Sequence, residues 1–170
     1  MRRHVLCVLP LLIVTIACGS SPASPSAANV HSCSGGTASG TLTATINGAS
    51  FAATCLDAVS FNGNILGLGG TNISSSNATT FINIAMAVQA TGMGTFQIGQ
   101  GTAANASMSK GGSQFWQAGG ISTGTGMVTI TSLSSTSAAG TFSFTMVPGP
   151  GASGGSGTIS ITNGSFNITF

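Results

Sequence analysis

An all-β fold is what this sequence predicts: an antiparallel β-sandwich, Greek-key or meander in type, of about 8–11 short strands. Three observations carry that reading. From Thr41 onward apolar residues recur at every second position, the period of a half-buried strand. The alternating runs are short, and Gly, Asn and Ser separate them. Beyond an apolar N-terminal run, no stretch repeats its apolar residues at helical spacing.

The chain opens Met1-Arg2-Arg3-His4 and is then apolar from Val5 to Ala17, broken by Pro10 and Thr15. A basic start followed by a short apolar run is the pattern of a secretory signal peptide. As a helix that run would span about 20 Å, short of the roughly 30 Å of a bilayer's hydrocarbon core. Thr15-Ile16-Ala17-Cys18 resembles the bacterial lipobox, in which the chain is cut just before a cysteine whose sulfur is acylated. The resemblance implies that residues 1–17 are a lipoprotein signal peptide and that Cys18 carries the lipid. Gly19, rather than Asp, after the cysteine implies sorting to the outer membrane. The alternative is a plain signal peptide with an incidental cysteine. Residues 18–40 are rich in Ser, Pro and Gly without periodicity, which predicts a flexible tether.

Residues 41–170 are the β-sandwich domain. "TLTATI" places Leu42, Ala44 and Ile46 on one face and Thr41, Thr43 and Thr45 on the other, and Asn47-Gly48 then turns the chain. "SFAATCLDAVSF" and "ILGLGG" follow, separated by Asn62-Gly63-Asn64. "TTFINIAMAV" is apolar on both faces, with Ile82, Ile84, Met86 and Val88 on one and Phe81, Ala85 and Ala87 on the other, so it reads as a central strand. "TFQIG", "ANASMS" (ending at Lys110-Gly111-Gly112), "SQFWQA", "GMVTITSL", "GTFSFTMV", "GTISIT" and "SFNITF" complete the set. In "TISITNGSFNITF", Asn163-Gly164 predicts a type I′ hairpin pairing Ile161 with Phe166 and Ile159 with Ile168, all on one face.

"GMVTITSLSSTSAAGTFSFTM" and "TNGSFNITF" resemble the C-terminal half of uncharacterised bacterial lipoproteins classed as a domain of unknown function. Those proteins pair an NG-x-x-F opening, here Asn47-Gly48-Ala49-Ser50-Phe51, with a GTFSF strand and a terminal NG-x-F hairpin. The resemblance extends over residues 41–170; it implies the fold and brings no activity with it. The alternating Phe166, Ile168 and Phe170 also resemble the last strand of an outer-membrane barrel. Spanning strands need about 9–11 residues and aromatic girdles. The shorter runs here, with no Tyr and one Trp in the chain, favour a lipid-tethered soluble domain.

Charge narrows the function classes. The chain has three Lys and Arg and one acidic residue. With Arg2 and Arg3 in the signal, only Lys110 and Asp57 remain. Phosphate neutralisation needs clustered Lys and Arg, which excludes nucleic acid as a partner, and a polybasic membrane patch fails for the same reason. Glycoside hydrolysis needs two carboxyl side chains, and phosphoryl transfer needs a Lys-bearing loop with metal-holding carboxylates. "GLGGTN" lacks that Lys and a following helix, so it reads as a turn.

The distinctive side chains are His31 and Cys33 in the tether and Cys55 and Asp57 in the third run. Two cysteines in an oxidising compartment predict a Cys33–Cys55 disulfide, worth about 3 kcal/mol on the chain-entropy model. The alternative is a zinc site made by His31, Cys33, Cys55 and Asp57, whose ligand types suit zinc but whose spacings are short. A Ser-His-Asp triad using His31 and Asp57 would place its base in the tether.

Binding remains. "SQFWQA" sets Gln114, Trp116 and Ala118 on one face, and a Trp beside Gln can stack on a sugar ring; the alternative is Trp116 as a core residue. The threonine face of Thr41, Thr43 and Thr45 is a third candidate, as a flat hydroxyl array for a polymer or ice-like surface. The expectation is therefore a non-catalytic, lipid-anchored protein of the bacterial cell envelope, at the outer membrane, with an accessory or binding role and no cofactor. Its partners are the membrane, through the N-terminal lipid, and a neutral glycan or an envelope protein, bound with little dependence on salt. A small metal-binding domain or a hydrolase is the alternative.

If Cys18 is the lipid acceptor, Cys18→Ser abolishes fatty-acid labelling and leaves the precursor uncut. Metabolic labelling with a palmitate analogue checks this; efficient cleavage of the variant at the same site would assign an ordinary signal peptidase.

Overall fold

The computed structural model describes residues 38–61, 65–73, 81–149 and 155–170. The signal peptide, Cys18, His31, Cys33 and the Asn62-Gly63-Asn64 turn lie outside them. The described residues contain no helix and eleven strands: β1 (Ser39–Ile46), β2 (Ala49–Ala52), β3 (Cys55–Phe61), β4 (Ile65–Asn72), β5 (Ile82–Val88), β6 (Gly94–Ile98), β7 (Asn105–Lys110), β8 (Gln114–Gly119), β9 (Thr125–Leu133), β10 (Ser137–Pro148) and β11 (Ile159–Thr169). All named pairs are antiparallel. They form one curled sheet, a half-barrel, in the order β2-β1-β11-β10-β8-β7-β5-β4-β3, with β9 beside β10 and β6 beside β9.

Two places produce the curl. The first is β10, which pairs with β11 from Ser137 to Met146. It also pairs with β9 from Ala138 to Thr145, and then with β8 at Val147 and Pro148. One long strand thus joins two groups of ladders. The second is Ala53-Thr54. Ala53 N–H donates to Leu42 C=O, extending the β1–β2 ladder, whereas Thr54 N–H donates to Thr71 C=O and enters the β3–β4 ladder. The run "SFAATCLDAVSF" is accordingly two strands, bent where it changes partner. The bend brings the ends of the sheet together, and a Cβ on Gly70 of β4 would stand 3.3 Å from Leu42 Cδ2 of β1.

Side-chain alternation places the core inside the curl. Leu42, Ala44 and Ile46 of β1 are buried as their period predicts, and so are Ile84, Met86 and Val88 of β5. β5 lies between β4 and β7, so the strand that is apolar on both faces is an interior one. Apart from Gly40, the exposed positions of β1 and β11 carry Ser, Thr and Asn.

The expected terminal hairpin is corrected by the structure. Residues 159–169 form one continuous strand, held between β1 and β10, and Asn163-Gly164 is a bulge within it. Of the pair only Asn163 has a positive φ, 51°, where a type I′ turn requires two. Phe142 and Phe144 of β10 pair with Gly164 and Ile161, so β11 uses three residues where β10 uses two. An inserted residue flips the alternation once. That returns Phe166 and Ile168 to the buried face of Ile161, the same facial outcome a hairpin would give.

The bulge is locked by two reciprocal pairs. Gly140 stands opposite Phe166, and Phe142 opposite Gly164. A Cβ on Gly164 would overlap the Phe142 ring, and one on Gly140 would collide with Thr129 C=O and reach the Phe166 ring. Each glycine makes room for the ring across from it. Phe142 stacks on Phe144 at 5.3 Å and on Phe166 at 6.5 Å between ring centroids. These are the glycines and phenylalanines of the "GTFSF" and "NG-x-F" stretches.

Gly164→Ala is expected to destabilise the domain by about 1–3 kcal/mol through overpacking. Phe142→Leu in the same chain should recover part of that loss. Urea unfolding of the four proteins of the double-mutant cycle checks the coupling.

Candidate functional site

Two hairpins face each other at one end of the half-barrel. In the β1–β2 hairpin, Asn47 and Gly48 both have positive φ, 47° and 85°, as a two-residue type I′ turn requires. Asn47 is pinned to β11: its N–H donates to Ser160 C=O and its Oδ1 accepts from Ser160 N–H, both at 2.8 Å. In the β7–β8 hairpin, residues 111–113 make the turn, Lys110 pairs with Gln114, and Met108 pairs with Trp116. Alternation places both pairs on the same face of the hairpin.

Between the hairpins lies a cavity of about 320 Å³, at the small end of the roughly 300–1,000 Å³ typical of ligand pockets. Phe51, Met108 and Trp116, all buried, make its floor, and Ile82 and Ile159 flank them. The exposed Lys110, Asn47 and Ser50 stand at its rim, with Gln114 half-buried beneath Lys110. Trp116 is 4% exposed. Its indole N–H donates to Gly157 C=O at 3.1 Å, so the one polar atom of this side chain is satisfied. Trp116 therefore belongs to the core and lines the cavity at once.

The structure brings Gln114 and Trp116 to a common wall. Lys110, Phe51, Met108 and Ile159 were not read from the sequence as parts of a site. A signal for Lys110 was available: "NASMSK" and "QFWQAG" flank a Gly-Gly turn, and folding them back on each other sets Lys110 opposite Gln114.

Of the proposed disulfide and metal ligands, Cys55 and Asp57 are described. Both project from the outer face of β3, since Leu56 and Ala58 between and beyond them are buried inward. Asp57 is exposed, whereas Cys55 is 9% exposed and has a partner. His31 and Cys33 lie outside the described residues. Among the described residues no three His, Cys, Asp or Glu gather as a metal site would need.

The threonine face is wider than β1. Thr43, Ser165, Thr141, Thr129 and Thr95 stand opposite one another in turn across β1, β11, β10, β9 and β6. Thr43 bonds Ser165 at 2.9 Å, and Thr95 bonds Thr129 at 3.0 Å, hydroxyl to hydroxyl. Four of the row's five hydroxyls are thus bonded to a neighbour in the row.

The chain belongs to a family described as a domain of unknown function, DUF6252, which matches residues 38–168. No curated protein and no solved structure is similar to it.

Because Trp116 fills the core, Trp116→Ala should cost about 3–5 kcal/mol. Trp116→Phe, which keeps most of the volume and loses the bond to Gly157, should cost about 0.5–1.5 kcal/mol from that bond plus a smaller packing loss. Urea titrations read by far-UV circular dichroism separate the two.

Proposed function

We propose that this member of a family of unknown function is a non-catalytic, lipid-anchored protein of the bacterial cell envelope whose domain binds a small ligand in the cavity between the β1–β2 and β7–β8 hairpins. The observation that carries the reading is the cavity itself: an apolar floor of Phe51, Met108 and Trp116 beneath a polar rim. Binding rather than turnover is favoured by the lining, on which Lys110 is the single ionisable side chain. General acid–base catalysis uses positioned groups that exchange protons near the working pH, and Asp57 stands away on β3.

Two further features support an anchored envelope domain. On β1 and β11 apolar side chains point into the half-barrel and hydroxyls point out, the reverse of a membrane-spanning barrel. β1 begins at Ser39, and the cavity lies beyond its other end at Ile46 and Asn47. The cavity mouth would therefore lie about 25 Å, one strand length, from the point where the tether joins the domain. A Cys33–Cys55 disulfide is part of the same proposal, supported by the covered, partnered Cys55; it would fasten the tether to β3.

The sole Trp lines the cavity in a chain without Tyr, so its fluorescence reports occupancy. The chain lacking residues 1–18 keeps every described residue. Titrated with a panel of neutral oligosaccharides and short-chain alkyl compounds, it should show a saturable change in Trp116 emission with one class. No change with any of them, or steady hydrolysis of ester, glycoside or peptide substrates, would overturn the reading.

A further inference from the structure

We infer that the ligand of this cavity is a single-chain anionic amphiphile, its alkyl chain on the apolar floor and its charged head on Lys110. The inference rests on the binding role proposed above and narrows it to one chemical class.

Lys110 is the one cation among the described residues, and it lines the cavity. It sits one alternation above Met108 on β7, on the face that looks into the half-barrel, so its stem continues the apolar wall and its ammonium tops it. The one acidic side chain of the chain does not compensate it. Asp57 stands in the row Asp57, Gly69, Ala85 and Ser107, three residues along β7 from Lys110 and on the opposite face. An uncompensated ammonium beside low-dielectric walls attracts an anion more strongly than one in open water. The floor below offers a second, different interaction: Phe51, Met108 and Trp116 contribute two aromatic rings and a thioether, with the Trp N–H already committed to Gly157. A sugar ring would bring hydroxyls to that floor, where they would find no free donor on the indole. An alkyl chain brings none. The cavity volume of about 320 Å³ suits one chain of medium length rather than a two-chain lipid.

The test uses the chain lacking residues 1–18, with Trp116 emission as the reporter, and three probes of one length: octanoate, octyl phosphate and octanol. Octanoate and octyl phosphate should bind saturably, and octanol at least tenfold more weakly. Shortening octanoate to hexanoate should weaken binding about fourfold per methylene lost. Added salt should weaken the anions and leave octanol unchanged. Lys110→Gln, at an exposed position, should keep the unfolding midpoint and reduce octanoate to the affinity of octanol. Octanol binding as tightly as octanoate, or undiminished octanoate binding by Lys110→Gln, would overturn the role of Lys110 while leaving a cavity that binds. Silence from all three probes would overturn this inference, and a saturable response to neutral oligosaccharides would then preserve the broader binding role. A response to anionic phospholipid vesicles but not to octanoate would place the contact on a bilayer surface and likewise overturn it.

Discussion

The reciprocal fit of two glycines under two phenylalanine rings, between β10 and β11, is the constraint from which the rest of the fold follows. Gly140 with Phe166 and Phe142 with Gly164 fix the register of the two longest strands and set the bulge in β11. Among the described strands, β11 is the one that pairs with both β10 and β1, and β10 is the strand of that group that pairs with β8. If the register slipped by one residue, both rings would meet backbone instead of the space over a glycine, and the buried face of β11 would turn outward. An aromatic ring covering a cross-strand glycine shields backbone that would otherwise be wetted. Thus the pairs supply both buried area and register.

Much of the fold was legible because alternation is a local property. The faces of β1, β5 and β8 follow from period two alone, and the Asn47-Gly48 hairpin follows from its turn chemistry. The same dipeptide at 163–164 shows where local reasoning stops. A two-residue turn and a one-residue bulge both return Ile161 and Phe166 to one face, so the hydrophobic pattern is blind to the difference. What decides is the presence of partners on both edges of residues 159–169, and the partners lie far away in sequence. The bend at Ala53-Thr54 was hidden for a related reason: no Gly or Pro marks it, and only the change of ladder reveals it.

The candidate site divides in the same way. Gln114 and Trp116 stood out as unusual side chains on a common face, and they do share a wall. Their opposite wall, Ile46 and Phe51, reads from sequence as ordinary core, because a cavity is made by the separation of two hairpins and not by any residue type. Lys110 stood out from the sequence as a lone cation at the end of a strand, with nothing local to place it at a cavity. In a chain so poor in charge, the position of a single ammonium carries more information than it would on an ordinary surface, where solvated lysines are common.

The ladder between β1 and β11 runs from Ser39 with Thr169 to Ile46 with Ile161, joining segments from the two ends of the domain. During synthesis β1 is made early and its main partner last. Until residues 159–169 have left the ribosome, β1 and β2 are an isolated ribbon of two strands, which is marginal in water, and β10 lacks the strand that fits its rings. The half-built domain therefore carries open edges on β1 and β10 beside an already complete β3-β4-β5-β7-β8 ladder, and those edges stay exposed to wrong pairing until β11 arrives.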